Sequence, residues 1–294
     1  MTQAAAHPHE RIVVHTPAPT PWLELLDPRR PIAAIWDSRD LVYRFTVRQL
    51  RSQYRGTQLG LLWNALSPIL LLAVYTLVFG TILGVRLSNK PGEGPLDYAV
   101  LLFVGLMVFQ AFSLPITQAP TLVTSKPNLV KKVVFPLEIL PVTTTLAALA
   151  SSSVGLAMVL IVHLLRGGTI GWWALAFPIV LVPIILITVG VGWILGSLGV
   201  FIRDLQPLVG TIVQRLLFFL TPIFYSIDTI PEAYRGLMHL NPLTGVVQGA
   251  RNTLMFNQPP DWLPLAIWFV ASLVIFQVGY AVFCKGRRGF ADVL

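Results

Sequence analysis

The chain has 294 residues, of which 55% are hydrophobic and only 12% are charged, and its mean hydropathy is +0.72. A soluble domain of this length needs far more charge to cover its surface, so the composition excludes a soluble protein and indicates an integral membrane protein. The net charge of +8 is then interpreted as a marker of membrane orientation, and not of nucleic-acid binding.

The N-terminal segment, residues 1–35, is polar and punctuated by prolines, with no apolar run behind a charged start. This pattern is not that of a signal peptide. We interpret the segment as a cytosolic tail, with a short docking arm for a partner as the alternative.

Residues 36–56 are predicted to form an amphipathic helix in the cytosolic interface of the membrane. When the segment is wound as a helix at about 100° per residue, its side chains form two stripes about a quarter turn apart. The first stripe is apolar and aromatic and consists of Trp36, Tyr43, Val47, Leu50 and Tyr54. The second stripe is basic and consists of Arg44, Arg48, Arg51 and Arg55.

The basic stripe has two explanations. Its arginines are a topology anchor under the positive-inside rule, or they attract an anionic lipid headgroup such as a pyrophosphate to the mouth of a transport path. Under the second explanation, Arg48, Arg51 and Arg55 are substrate-path residues.

Six stretches within residues 57–284 are long and apolar enough to cross a membrane, which takes about 20 residues each. The predicted fold is therefore an all-α membrane protein with six transmembrane helices. The fourth stretch is rich in proline and glycine, which predicts close helix contacts there. The six stretches are 61–85, 98–120, 138–165, 172–200, 207–226 and 262–284.

The basic residues favour one orientation. With both termini in the cytoplasm, the cytosolic segments carry most of the lysines and arginines, including those of the C-terminal tail 285–294. The positive-inside rule therefore predicts cytoplasmic termini.

Two connecting segments have helical character. Residues 125–135 form a basic and apolar stretch bounded by prolines, which predicts a short helix on the cytosolic surface. Residues 230–255 contain two amphipathic stretches that are broken at Asn241-Pro242 and are too short to span. We expect these two external helices to dip into or cover the outer leaflet, where they could close a pore.

The sequence lacks the motifs of several kinds of chemistry. No lysine lies in a P-loop context, so the chain is not expected to hydrolyse ATP or to be an enzyme, and it carries no cofactor. The sequence shows no metal-ligand spacing, and His163 is interpreted as an interfacial histidine. Acidic residues deep in the spans are missing, which argues against proton coupling. The single cysteine, Cys284, excludes an internal disulfide.

Aromatic faces along a transport path would hold a cargo weakly at many points. The candidates are Phe79, Phe109, Phe112, Phe218, Phe219, Phe224 and Tyr225, and ordinary packing is the alternative for each. Arg215 is the one charge inside a predicted span, so it is expected to face the dimer interior or a watery lumen. Pairing with a carbonyl or with a polar residue of another span is the alternative.

Five segments in this order resemble the permease subunit of ABC-2 type polysaccharide exporters, over about residues 36–290. They are RQLRSQYRGTQLGLLWNALSPILLLAVYTLVFG, LVKKVVFPLEILP, FIRDLQPLVG, FFLTPIFY and LNPLTGVVQGARNTL.

The resemblance implies a homodimeric permease in the bacterial inner membrane with two copies of a cytosolic ATPase subunit, which holds the ATP and Mg²⁺. The implied cargo is a lipid-linked polysaccharide, with O-antigen first and teichoic acid or capsule next. Membrane lipids are further partners.

The resemblance also implies roles for two segments. It implies a coupling helix at about 125–135, with candidates Asn128, Leu129, Lys131, Lys132 and Phe135, and external gate helices at about 230–255, with candidates Pro231, Asn241, Pro242 and Arg251. Arg215 and the length of the N-terminal tail are departures from the family pattern.

Other functions fit the sequence less well. An ABC-2 exporter of a drug or small lipid is the nearest alternative. A secondary lipid flippase would need intramembrane carboxylates, a glycosyltransferase would need paired acidic residues on a sizeable loop, and a passive scaffold remains as a further class.

Overall fold

The computed structural model describes residues 27–53, 56, 58–84, 95–131 and 135–293, and within these ranges the secondary structure is entirely helical. The predicted all-α membrane fold is confirmed. We number the helices α1 (Arg29–Asp37), α2 (Arg39–Gln53), α3 (Trp63–Ile82), α4 (Pro95–Gln118), α5 (Pro127–Lys131), α6 (Ile139–Leu165), α7 (Phe177–Phe201), α8 (Leu205–Leu220), α9 (Glu232–His239), α10 (Pro242–Leu254) and α11 (Trp262–Val293).

Among the described residues, five helices are long and apolar enough to cross a membrane: α3, α4, α6, α7 and α11. The sixth predicted span, 207–226, corresponds to α8, which ends at Leu220 and is only about 24 Å long at 1.5 Å per residue. The helix stops there because Thr221 precedes Pro222, and a residue before proline avoids the helical conformation; Thr221 is extended, with φ −88° and ψ 132°. Five spans are confirmed, and the count of six stays a prediction.

Helix α4 is the centre of the bundle. Within its span 89% of residues are buried, against 11% for α3, which lies at the periphery. Helices α6, α7, α8 and α10 all pack against α4, and its aromatic and aliphatic side chains form the main hydrophobic core. A helix that is apolar on every side belongs in such a central place.

Close contact between α7 and α11 depends on glycine, as the sequence predicts. A Cβ on Gly279 of α11 would overlap the backbone carbonyl of Gly190 on α7. A Cβ on Gly199 of α7 would likewise overlap the backbone at Pro120, just after α4. Small residues therefore let these helices touch through their backbones.

The predicted single amphipathic helix is interrupted at Ser38. The segment therefore forms two helices, α1 and α2. The side chains of Trp36 and Tyr43 are 67% and 72% exposed, whereas Val42 is buried against the bundle. Helix α2 packs along α6, and its last residue, Gln53, accepts a hydrogen bond from Ser151 Oγ at 3.4 Å. The end of α2 therefore reaches well past Ile139, the first residue of α6.

The two ends of the bundle differ in charge. One end holds α2, α5 and the C-terminal part of α11, with Arg48, Lys126 and Arg287 among its cations. We call it the basic end. At the opposite end, Arg166 after α6 pairs with Asp97 of α4 at 2.6 Å.

Candidate functional site

The basic end contains a cleft of about 470 Å³ between α2 and the chain that leads into α5. We call it the basic cleft. Its walls carry the cations Arg48 and Lys126. Burial, and then the proximity of Arg48, lowers the pKa of Lys126. The lining residues are Phe45, Arg48, Gln49, Ser52, Ser125, Lys126, Pro127, Asn128 and Leu129.

A second, shallower recess of about 620 Å³ runs along α2 beside the basic cleft and is lined by Tyr43, Arg44, Val47, Arg48, Arg51 and Ser52. The predicted substrate-path residues Arg48 and Arg51 are both exposed and lie in these two recesses, whereas Arg55 and Tyr54 lie outside the described residues. Neither lining includes a carboxylate, so both recesses have the chemistry of an anion site.

Two of the coupling candidates, Asn128 and Leu129, line the basic cleft. Helix α5 is a single turn; Asn128 is exposed, and Leu129 is half-buried against the core at the basic end. Lys131 ends the helix, and Lys132 lies outside the described residues.

Phe135 anchors the end of this segment. Its ring is 5.1 Å from that of Phe45 on α2, and its carbonyl accepts a hydrogen bond of 2.9 Å from Arg287 on α11. Arg287 also pairs with Glu138 at 3.0 Å, and Trp193 of α7 donates to the Glu138 carbonyl at 2.8 Å. We call residues 125–135 the α5 segment and these contacts the Phe135 junction. The junction joins Phe135 to α2 and α11, and it joins Glu138, just before α6, to α7 and α11.

Most of the predicted aromatic residues are core residues of the single chain. Phe109 and Phe112 on α4 are buried. Phe218 packs on Phe109 at 5.1 Å and on Phe224 at 5.2 Å. Phe79 is 5.6 Å from Phe224. This placement favours the packing alternative for these five rings.

Helix α8 presents the exposed part of the predicted path. Arg215 lies in a π-helical stretch, Ile212–Leu217, and Phe219 is 69% exposed. The hydroxyl of Tyr225 donates to the carbonyl of Phe219 at 2.8 Å. Arg215 is exposed and forms no hydrogen bond or ion pair within the part of the chain that the structure describes. An exposed arginine on an otherwise apolar face suits a lumen or subunit interface better than lipid.

Arg251, predicted as a residue of the external gate, is buried inside the bundle. Its side chain is 5% exposed and donates three hydrogen bonds to backbone carbonyls. The acceptors are Leu101 at 3.0 Å, Pro222 at 2.9 Å and Ile223 at 2.6 Å. We call this arrangement the Arg251 clamp; it ties α10 to α4 and to the turn after α8.

Two other side chains hold the same turn. The hydroxyl of Tyr98 donates to the Phe224 carbonyl at 2.8 Å, and Asn241 Nδ2 donates to Thr221 Oγ1 at 3.0 Å. Sequence reasoning missed Tyr98, because an aromatic residue at the start of an apolar span is ordinary. Four hydrogen bonds from side chains of other helices or loops therefore hold this turn, two from Arg251 and one each from Tyr98 and Asn241.

The predicted break at Asn241-Pro242 is confirmed. Helix α9 ends at His239 and α10 begins at Pro242, with Asn241 as its N-cap: Asn241 Oδ1 accepts from the Leu243 amide at 3.0 Å. Pro231 immediately precedes α9, which is largely exposed. Helix α10 packs against α4 and α7, so it enters the bundle and does not cover it.

The described residues contain no cluster of three or more His, Cys, Asp or Glu that could hold a metal. The long apolar helices, with α10 packed among them, indicate a multi-pass α-helical membrane protein with a basic cleft at one end.

Comparison with protein families places the chain within that class. The family described as ABC-2 type transporter matches residues 40–255, and the chain belongs to this family. Its members are the permease subunits of transporters and not catalytic enzymes.

Relatives match over most of their length. The chain is 29% identical to an O-antigen export system permease protein RfbA of Myxococcus xanthus over 265 residues, which cover 90% of this chain and 98% of the relative. It is 26% identical to a protein of the same name from Klebsiella pneumoniae, covering 87% and 95% of the two chains. It is 23% identical to the polysialic acid transport protein KpsM of Escherichia coli, covering 81% and 90%.

Proposed function

We propose that this chain is the membrane subunit of an ATP-driven exporter of a lipid-linked polysaccharide, with O-antigen as the first choice of cargo and teichoic acid or capsule next. Two copies form the permease in the bacterial inner membrane, and two copies of a cytosolic ATPase subunit drive it. ATP and Mg²⁺ belong to the ATPase, and both termini of this chain face the cytoplasm.

The observation that carries the proposal is the similarity to an O-antigen export permease over 90% of this chain and 98% of the relative. The family match over residues 40–255 includes the basic cleft, α5 and α10. The similarity to a polysialic acid transport protein supports a polysaccharide cargo as a class.

The basic cleft supports an anionic lipid headgroup as the part of the cargo that is recognised first. Arg48 and Lys126 face the same space, and Arg51 continues the positive surface along α2. Arginine binds phosphate oxygens in bidentate fashion, and a juxtamembrane cationic surface attracts anionic lipids. Cations concentrated at this end also support its cytoplasmic orientation.

The Phe135 junction supports a coupling role for residues 125–135. The exposed turn at Asn128 offers a contact for the ATPase, while Phe135 transmits displacement to α2 through Phe45 and to α11 through Arg287. A push on α5 would thereby move the wall of the basic cleft.

Deletion of the gene in its host tests the proposal. The surface polysaccharide is expected to disappear and the lipid-linked polymer to accumulate inside the cell, with export restored by the wild-type gene. Unchanged surface polysaccharide, or restoration by an empty vector, would contradict it.

A further inference from the structure

Helix α8 contains one wide π-helical turn, the stretch Ile212–Leu217, and the packing of the helix explains why. Its inward side chains are spaced by four, at Leu205, Val209, Val213 and Leu217, and all four belong to or pack against the main core. In a straight α-helix, residues four apart drift by about 40°, so this stripe would turn by about 120° between its ends. The π-helical stretch adds one residue to a turn and takes up the drift. We call Ile212–Leu217 the α8 joint.

The chain that follows the α8 joint is firmly held. The amide and the hydroxyl of Thr221 both donate to the carbonyl of Leu217, at 2.9 Å and 2.7 Å. The Arg251 clamp holds the next two carbonyls, and Phe218 packs on the buried ring of Phe109. The end of α8 cannot turn without breaking these contacts.

The chain that precedes the α8 joint is loosely held. Two hydrogen bonds at its start, from the Leu205 amide to Ile202 and from the Leu208 amide to Asp204, are both 3.4 Å long. This length exceeds the usual range of about 2.7–3.2 Å. Val209 is the one buried residue in Leu205–Thr211, so little apolar contact fixes the direction in which this half of α8 faces.

The first half of α8 also has room to turn. A cavity of about 240 Å³ adjoins its start, with Arg203 and Gln206 in the lining. Gly210 follows the inward Val209 and is smaller, so it fits the place of Val209 without a clash. Such a turn exposes the side chain of Val209, which makes the turned state the less stable one.

A second π-helical stretch, Thr76–Ile82 at the end of α3, meets the same fixed turn. Its Phe79 lies 5.6 Å from the ring of Phe224, on which Phe218 also packs at 5.2 Å. π-Helical turns are rare and occur mostly at functional sites. Two of them against one clamped turn indicate helices that move while the turn stays in place.

We propose that the α8 joint is a register switch with two states. In the first state the joint is π-helical and Val209 faces the core. In the second state the joint is α-helical, and the part of α8 before it is turned by about 100°, the angle of one residue. Gly210 then takes the inward place of Val209, and Arg215, inside the joint, points in a new direction. This inference concerns the motion of one helix and does not depend on the proposed export function.

Fluorine NMR of the full-length chain in nanodiscs tests the switch. Thr211→Cys, in a Cys284→Ser background that removes the single cysteine, carries a trifluoromethyl label on an exposed position before the joint. Leu220→Cys, also exposed, carries the same label after the joint. Helix register shifts take microseconds to milliseconds, so relaxation dispersion and saturation transfer detect them.

The label at position 211 is expected to exchange with a minor state populated to about 1–10%, and the label at position 220 is expected to show no such exchange. Deletion of the exposed Leu216 removes the extra residue and makes α8 a continuous α-helix with both ends in their present orientation. The exchange at position 211 should then disappear while the major resonance keeps its chemical shift. Leu216→Ala, which keeps the extra residue, is the matched control and should retain the exchange.

Absence of exchange at position 211, or exchange with the same rate and population at both positions, would overturn the proposal. Exchange that persists after the deletion would also overturn it. If the deletion variant does not give a monodisperse protein, the comparison of the two labelled positions decides the matter by itself. None of these results affects the export experiment, so the two proposals fail separately.

Discussion

Arg251 shows how one buried side chain can hold an irregular backbone inside a helical bundle. The turn after α8 leaves carbonyls without helical partners, and Arg251 satisfies two of them and one on α4. Five donors in a rigid fork make arginine suited to this task, whereas lysine presents a single point of contact. The clamp therefore fixes the turn that follows α8 by tying it to α10 and α4.

Replacing Arg251 with Gln is expected to lower the free energy of unfolding by at least about 3 kcal/mol, because buried carbonyls lose charged donors. Arg251→Lys is expected to keep only part of the stability that Arg251→Gln loses. Thermal unfolding of the purified chain in detergent measures the effect. The matched control is Arg235→Gln. Arg235 lies on the more exposed helix α9 and also donates a hydrogen bond to a backbone carbonyl, that of Ile230. Equal shifts for both variants would contradict the clamp.

The basic cleft has its own residue-scale prediction. Replacing Arg48 and Arg51 together with Gln is expected to weaken binding of a pyrophosphate lipid in nanodiscs by about tenfold, since charge-assisted hydrogen bonds to phosphate are lost. The wild-type affinity should also fall as salt is raised.

Arg39→Gln is the control for that pair, because Arg39 lies on the same helix but outside both recesses, next to Trp36. If the affinity is unchanged in the double variant, or falls equally in the control, the basic stripe acts only as an anchor of membrane topology.

At the scale of elements, the α5 segment is a short turn with one exposed side and one anchored side. Leu129 packs partly inward, so Asn128 is the better position for a cross-link to the ATPase. Asn128→Cys, in the Cys284→Ser background, is expected to cross-link to a cysteine on the ATPase surface. Asn257→Cys, exposed at the opposite end of the bundle, should not. Cross-linking at Asn257 and none at Asn128 would reverse the orientation that we propose.

The pair α7 and α11 makes a second prediction about elements. Gly279→Ala is expected to destabilise the bundle, since the added methyl group overlaps the carbonyl of Gly190 and the helices must separate. Gly236→Ala on α9 meets no atom within 4 Å, so it should be neutral or slightly stabilising. Unfolding of the two variants in detergent measures the difference, and an unaffected Gly279→Ala would argue against the close crossing.

At the scale of the whole molecule, the sequence predicted those features of the fold that depend on apolar stretches, proline and glycine. The five long spans, the break at Asn241-Pro242 and the glycine-mediated contacts follow from local composition. The length of α8 did not, because an apolar run from 207 to 226 continues past the point where Pro222 ends the helix.

The site was less predictable than the fold. The exposure of Arg48 and Arg51 follows from their spacing on a helix. The burial of Phe109 and Phe112 depends on the central position of α4, which cannot be predicted from the sequence of α4 alone. Arg251 was predicted as a residue of the external gate, but its burial was not predicted, because it depends on three carbonyls from two distant segments that converge on its side chain. Such long-range convergence has no signal in a single sequence.

The central claim is that this chain forms an export path that a separate ATPase drives. Transport in proteoliposomes tests it most directly, with purified permease, its ATPase subunit and a fluorescent lipid-linked polysaccharide supplied on the ATPase side. We predict transfer of the polymer into the lumen only when both subunits and ATP are present. Transfer by the permease without the ATPase, or ATP hydrolysis by the purified permease alone, would contradict the account.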